Sequence, residues 1–492
     1  MGAAPPVGGP APSGARPPFP GGSRFCHCTA ARRSPEACAA GPHRIPGEDG
    51  ARDAPRPMRR RFERGTGGLH AGRNLGSMSL LLFAASAAGL GALAVQLAAL
   101  LRHLRAAAPR RGTLALRRTR KGGAEACEGI SVLKPLCGAD DELERNLEAF
   151  ARLDHPRYEV LLGLRDLRDA ACPVACAAAA RWPGVFRVVL QRGEPGLNPK
   201  VNQLVTLART ARHDVLVVSD SNVRVPAGYL REIANHLRDE RVGLVTHPVV
   251  GIGERSLGAV LENLHLAGSI GPGVVAAKLL AGRDVVVGKS MAFRRRDLEA
   301  LGGFESAKDV LAEDYVLGVR VSRELGKHVA IGETPVENVN QHRSVSAFLS
   351  RYDRWCVMQR KIVGSPVYAS QALLNPVALA VAGALADPGA ASAALLAAAC
   401  AAKVALDGAA ARALRPGGFR PWQLALVPAK DLLFAWSFLR GFLRSTVEWR
   451  GHRLRVLAGS RLALPGAREI PAPLPGAPAP HGAATERQPI AA

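Results

Sequence analysis

Two apolar patterns divide the chain. From residue 130 to about residue 345, short β-rich runs alternate with amphipathic stretches, the signature of an α/β domain on a mixed, mostly parallel sheet. The spacing predicts strands at 130–134, 158–164, 186–190, 214–219, 243–246 and 285–287. Helices are expected between them. Over 143–153, Leu143, Leu147, Phe150 and Ala151 form an apolar stripe against Glu142, Glu144, Arg145 and Glu148. Another helix is expected to start at Asn198, a good N-cap, with Pro199 in the first helical position.

The second pattern is long apolar runs on either side of this domain. Residues 78–101 are 24 predominantly apolar positions without a charge, enough to cross a bilayer. Beyond residue 365 the chain turns to Ala, Leu and Val. Runs at 367–386 and 390–406, separated by Asp387 and Pro388, suit two crossings or a re-entrant pair. A third run, 422–443, carries Lys430 and Asp431 near its middle, so it is read as interfacial, or as spanning with the pair turned toward protein.

Charge refines this picture. The net charge is +24, and residues 102–121 hold eight Lys or Arg and no acid, directly after the first apolar run. Basic residues in that place favour the cytosolic side of a membrane and argue against a cleaved signal peptide. Aromatic residues are 5% of the chain and none interleaves with the basic run, so the stacking surface of a nucleic-acid binder is missing. The expected order is therefore an extension at 1–77, disordered or preceding the true start at Met78; a transmembrane helix at 78–101; and a basic cytosolic linker at 102–128. A catalytic domain at 129–365, membrane-associated helices at 366–447 and a basic, Pro/Ala-rich tail at 448–492 complete it. Nine scattered cysteines, Cys172 and Cys176 on one helix face among them, lack the spacing of a zinc site or a disulfide framework.

In parallel α/β sheets the ligand site lies at the carboxyl ends of strands. Asp166 and Asp220 close two predicted strands, and Glu313 with Asp314 opens a helix. Asp220-Ser-Asn222 offers a carboxylate and an amide oxygen, hard ligands that suit Mg2+ or Mn2+ against a diphosphate, although Asp and Asn also serve as turn formers. Lys200, on the first turn after Asn198, could meet phosphate oxygens or stand as a solvated lysine. Displacing a nucleoside diphosphate with a hydroxyl requires a base, here Asp314, and positive charge on the leaving group. Arg351 and Arg354, three apart on a predicted helix, could cover that diphosphate with Trp355, or anchor the helix at headgroup depth. His342 is read as a structural histidine. Gly-x-Ser-x-Gly, Walker A and His-Glu-x-x-His patterns do not occur.

In order, Ile130-Ser-Val-Leu-Lys-Pro-Leu, Glu144-Arg-Asn-Leu-Glu, Asp166, Asn198-Pro-Lys-Val-Asn, Asp220-Ser-Asn, Ala312-Glu-Asp-Tyr and Arg351-x-x-Arg-Trp resemble the ceramide glucosyltransferase family over about residues 78–365. The tail Thr446-Val-Glu-Trp-Arg-Gly resembles its bacterial members, which would place the chain in a bacterial inner membrane. The resemblance implies a GT-A fold (a nucleotide-diphospho-sugar transferase domain), inverting chemistry, a UDP-glucose donor, a lipid acceptor and a divalent cation. It also implies roles: Asp166 at the nucleotide base, Asp220 at the metal and diphosphate, Asp314 as base, and Arg351, Arg354 and Trp355 closing the site. Asn222 and Ser269-Ile-Gly-Pro depart from the eukaryotic pattern, which leaves a hopanoid or diacylglycerol acceptor, with another UDP-sugar, as the alternative to ceramide. Other readings are a processive polysaccharide synthase, which needs more membrane helices for a channel, a polyprenyl-phosphate sugar transferase, and a catalytically silent scaffold.

Overall fold

The computed structural model describes residues 67–117, 128–449 and 451–466; the expectations for residues 1–66, for the end of the basic linker and for residues 467–492 lie outside the described residues. Ten strands build the α/β region: β1 (Ile130–Pro135), β2 (Tyr158–Leu164), β3 (Phe186–Leu190), β4 (Val215–Ser219), β5 (Val223–Arg224), β6 (Val242–Thr246), β7 (Val249–Ile252), β8 (Ser290–Arg294), β9 (His328–Ile331) and β10 (Val336–Val339). Seven form one sheet in the order β3-β2-β1-β4-β8-β6-β9, and β5-β10-β7 form a second. In the large sheet β3, β2, β1 and β4 pair in parallel, β8 runs antiparallel to β4 and to β6, and β9 is parallel to β6. Buried Val, Leu and Ile of both faces, such as Val132 and Leu133 on β1, feed two core clusters under helices on either side. That is why the central strands read as continuous apolar runs.

One strand differs from the expectation. The run Val285–Val287 pairs with no strand; Val286 packs against Gly318, where a Cβ would come within 2.4 Å of the valine. The strand begins three residues later at Ser290. A short run of valines marks burial, and burial alone cannot tell a ladder partner from a packed loop.

The first apolar helix is longer than its apolar run, Gly67–Arg117, so the first part of the expected linker and the end of the expected extension are helical. Once nucleated by the apolar segment, a helix extends into the Ala-, Leu- and Arg-rich flank that follows it at little cost. Among the described residues, three helices are long and apolar enough to cross a membrane: Gly76–Ala106, Leu257–Ala281 and Ala390–Leu414. The pair Ser365–Leu374 and Pro376–Ala386 is bent by 82°. Leu257–Ala281 contains a π-helical turn, Leu266–Ile270, lies outside the apolar runs expected to meet the membrane, and carries Glu262, His265 and Pro272.

The charged residues of the last apolar run face protein. Lys430 and Asp431, on Val427–Leu443, are buried with Lys403 and Asp407 of Ala390–Leu414 in a quartet of two cations and two anions. Lys430 Nζ lies 2.8 Å from Asp407 and 2.7 Å from Asp431, and Lys403 Nζ lies 3.4 Å from Asp431. A Cβ at Gly268, on the π-helical turn, would meet Asp407 at 2.4 Å, so the glycine lets that turn rest on the quartet.

The expected tail is partly ordered structure: β11 (Thr446–Trp449), β12 (His452–Val456) and β13 (Leu462–Ala463) form a third sheet, with Gly451 at φ 81° turning the hairpin. Its apolar face, Val447, Leu454, Val456 and Leu462, packs on Leu311 and Val357.

Candidate active site

The candidate site lies at the carboxyl ends of β1 and β4. Asp220 directly follows β4, and the antiparallel register Ser219↔Ser290 brings residue 289 beside it. Lys289 Nζ therefore sits 3.1 Å from Asp220 Oδ2 and 3.0 Å from Asn222 Oδ1. The other carboxylate oxygen, Oδ1, is 3.0 Å from Lys200 Nζ. Asn198 caps the helix Pro199–Thr210 as expected, accepting from the amides of Lys200 and Val201 at 2.9 and 3.1 Å, which aims Lys200 into the site. Lys200 also reaches Glu313 Oε1 at 3.0 Å and donates to the Gly288 carbonyl at 2.9 Å. From β1, buried Lys134 donates to the Asp220 carbonyl at 2.7 Å.

These charges set one another. Burial alone would raise the Asp220 carboxyl, but Lys200 and Lys289 outweigh it and hold the group ionised, well below the usual carboxylate range. Burial lowers Lys200, yet Asp220, Glu313 and Asp314 more than compensate, so it stays protonated. Burial pulls Lys134 down to about 7, only partly offset by Asp220.

Asp314 stands in the first turn of the helix Glu313–Leu325. The Gly288 amide donates to its Oδ2 at 2.7 Å and the Tyr315 amide to its Oδ1 at 2.8 Å. A Cβ at Gly288 would lie 2.8 Å from Oδ2, so the approach requires glycine. Burial, reinforced by the Glu313 charge, raises Asp314 to about 6. That value suits a base working near neutral pH. The helix start is braced by the C-terminal hairpin: Ser460 takes the Leu311 amide on its carbonyl at 2.8 Å and the Ala312 amide on its hydroxyl at 2.9 Å.

The structure thus gathers Asp220, Asn222, Lys200, Glu313 and Asp314. Asp166 is on the exposed loop after β2, where its Oδ1 accepts from the Arg168 amide at 2.7 Å. Arg351 is on the helix Val345–Val363 and pairs with fully buried Glu262 at 2.7 Å, as does Arg343 at 2.9 Å; its charge still reaches Lys289. Arg354 and half-buried Trp355 lie on the same helix, and the Trp355 ring packs edge-on against Tyr352 at 5.5 Å. His342 is exposed. Cys172 and Cys176 are free thiols with sulfurs 3.9 Å apart.

Sequence reasoning missed Lys289, Lys134, Glu262 and Ser460. Lys289 was hidden by placing the strand at 285–287, which left it beyond the strand; the pairing Gly288-Lys289-Ser290 at a strand start was the available signal. Lys134 was hidden inside an apolar strand. Glu262 and Ser460 act across more than 80 residues of chain, which no local pattern reveals.

The residues that build this site lie within a match to the family model described as Glycosyl transferase family 21, which spans residues 82–462. Among curated proteins, ceramide glucosyltransferase 3 of Caenorhabditis elegans is 29% identical over 231 residues, 46% of this chain and 50% of the relative. The ceramide glucosyltransferase of Komagataella phaffii is 27% identical over 194 residues, 35% of this chain and 38% of the relative. The chain thus spans about half the length, or less, of these relatives. Among solved structures, a mannosyltransferase of Pyrobaculum calidifontis in complex with GDP-Man and Mn2+ is 21% identical, with 74% of this chain and 99% of that chain covered, at a TM-score of 0.38. A glucosyl-3-phosphoglycerate synthase of Mycobacterium tuberculosis in complex with Mg2+ and UDP is 18% identical, covering 47% and 80%, at a TM-score of 0.30. With the family model matched over most of its length, the chain belongs to glycosyl transferase family 21.

Proposed function

We propose that the protein transfers glucose from UDP-glucose to ceramide, with inversion, at the cytosolic face of a membrane. The observation that carries this reading is a base raised to about 6 beside an ionised aspartate gripped by two lysines, at the carboxyl ends of parallel strands. Family membership and the curated relatives' name support the sugar and the lipid; the apolar helices support the membrane.

Asp220 Oδ2 and Asn222 Oδ1 converge on one positive charge, and two hard oxygens so aimed fit a divalent cation, Mg2+ or Mn2+. Bound there, such an ion would neutralise charge on the leaving diphosphate. Lys200 adds positive charge beside it, and Arg351, Arg354 and Trp355 close the site over the donor. Asp166, on its exposed loop, contacts the nucleotide base. The acceptor hydroxyl gives its proton to Asp314; its oxygen bonds to the anomeric carbon as the bond from that carbon to the diphosphate oxygen breaks, and UDP leaves.

Detergent-solubilised protein is to be incubated with labelled UDP-glucose, Mn2+ and ceramide, with diacylglycerol and hopanoid lipid in parallel. Label in extracted glucosylceramide is the expected result. Label only in another lipid moves the acceptor assignment, and no labelled lipid with any acceptor removes UDP-glucose as the donor.

The Asp314 environment predicts a pH profile. Its raised pKa keeps the carboxyl protonated, and therefore unable to accept a proton, below about 6. Transfer rate at saturating donor is expected to fall about tenfold per pH unit below that value and to flatten above it. A profile flat through pH 5 to 7 would remove Asp314 as the base.

A further inference from the structure

Within the donor site just proposed, and resting on that reading, Lys289 has a role of its own. We propose that the Lys289 ammonium holds the place between Asp220 and Asn222 that a divalent cation would take, and yields it only when a nucleoside diphosphate arrives to receive the lysine.

The geometry that points to this is a shared pair of oxygens. Lys289 Nζ is 3.1 Å from Asp220 Oδ2 and 3.0 Å from Asn222 Oδ1, the two atoms whose convergence makes a cation site. An ammonium and a divalent ion cannot both sit there: like charges so close repel, and each needs the same lone pairs. Lys200 does not share this position. It holds Oδ1 instead and is fixed by further partners in Glu313 and the Gly288 carbonyl.

Lys289 can leave without moving the fold. Gly288, just before it, is tied by its amide to Asp314 and by its carbonyl to Lys200, and Ser290, just after it, is the end of the β4–β8 ladder. The backbone is pinned on both sides, so exchange needs only rotation of the lysine side chain. A metal ion arriving alone must expel Lys289 with no anion to take it up. A diphosphate supplies that anion and forms charge-assisted hydrogen bonds with the displaced ammonium. Metal and nucleotide should therefore bind with positive coupling, and each should raise the affinity for the other by the same factor.

The test is Mn2+ binding to the detergent-solubilised full chain, read from the electron paramagnetic resonance signal of free Mn2+, with and without saturating UDP, each corrected by a protein-free titration for the Mn2+ that UDP itself chelates. Wild type is expected to bind Mn2+ weakly alone and at least about tenfold more tightly with UDP. Lys289→Met and Lys289→Gln are expected to bind Mn2+ alone about tenfold more tightly than wild type and to show a smaller UDP enhancement, while Lys289→Arg keeps the wild-type pattern. Unchanged melting temperatures show that the variants fold. If both neutral variants bind Mn2+ alone no more tightly than wild type while UDP still enhances binding, the role of Lys289 is overturned and the donor site stands. If wild type binds Mn2+ no better with UDP, or Asp220→Asn retains the enhanced binding, the donor-site reading falls and the role of Lys289 with it.

Discussion

Asp314→Asn is expected to lower the rate of sugar transfer about a thousandfold, in the range that loss of a positioned general base produces, while leaving UDP binding within a few-fold of wild type. The separation follows from the contacts. Asp314 accepts from the Gly288 and Tyr315 amides, and an asparagine can keep one of these through its carbonyl oxygen, so the turn is largely preserved. Lys200 is gripped by Asp220 and Glu313, not by a direct bond to Asp314, so the charges placed to meet the diphosphate remain. What disappears is the capacity to accept a proton. Transfer kinetics with UDP-glucose, run beside a UDP titration, check the split. A thousandfold loss of UDP affinity would instead make Asp314 part of the nucleotide site.

The second large effect is expected far from the chemistry. Removing one member of the buried quartet, as in Asp407→Ala, leaves Lys403 and Lys430 with one carboxylate between them in an interior closed to water. Breaking a buried pair in this way costs about 3–5 kcal/mol, and thermal melting in detergent is expected to drop by many degrees. Lys430→Met with Asp407→Leu removes one charge of each sign and retains Lys403 and Asp431, 3.4 Å apart. That double variant should melt nearer to wild type than either single one, because buried charge is balanced again. Equal melting of Asp407→Ala and wild type would mean that water reaches the quartet. The quartet also explains how an apolar segment tolerates Lys430 and Asp431: the charges bind the helices Ala390–Leu414 and Val427–Leu443 to each other.

Local chemistry made much of this legible in the sequence. Strands β1 to β4 and β6 were readable to within a residue, because a doubly covered parallel strand is a bounded apolar run. Asn198 and Pro199 announced their helix, since a cap and a fixed φ act within one turn. Asp220 stands out in the sequence because it directly follows an apolar run, and Asp314 because an acidic pair opens a helix. The position of Lys289 was not, because it depends on the antiparallel register of β8 on β4, a property of two strands 70 residues apart. Arg351 was readable as a cationic residue near the site, but its contact with Glu262 was not, since the acid lies on a helix that looks apolar and buried. The C-terminal hairpin was obscured by composition: Arg- and Gly-rich sequence around Trp449 reads as tail, yet alternating Val447, Leu454, Val456 and Leu462 bury one face of it against the loop that leads to Asp314.

The central claim is a single displacement in which Asp314 deprotonates the acceptor, and the stereochemistry of the product tests it most directly. Glucolipid made by the wild-type chain from UDP-glucose, whose sugar is α-linked, is to be purified and its anomeric proton coupling read by nuclear magnetic resonance. A β-linked sugar is the predicted result, since attack on the face opposite the diphosphate inverts the anomeric carbon. An α-linked sugar would contradict the account, because retention requires a different course of bond making and breaking at that carbon.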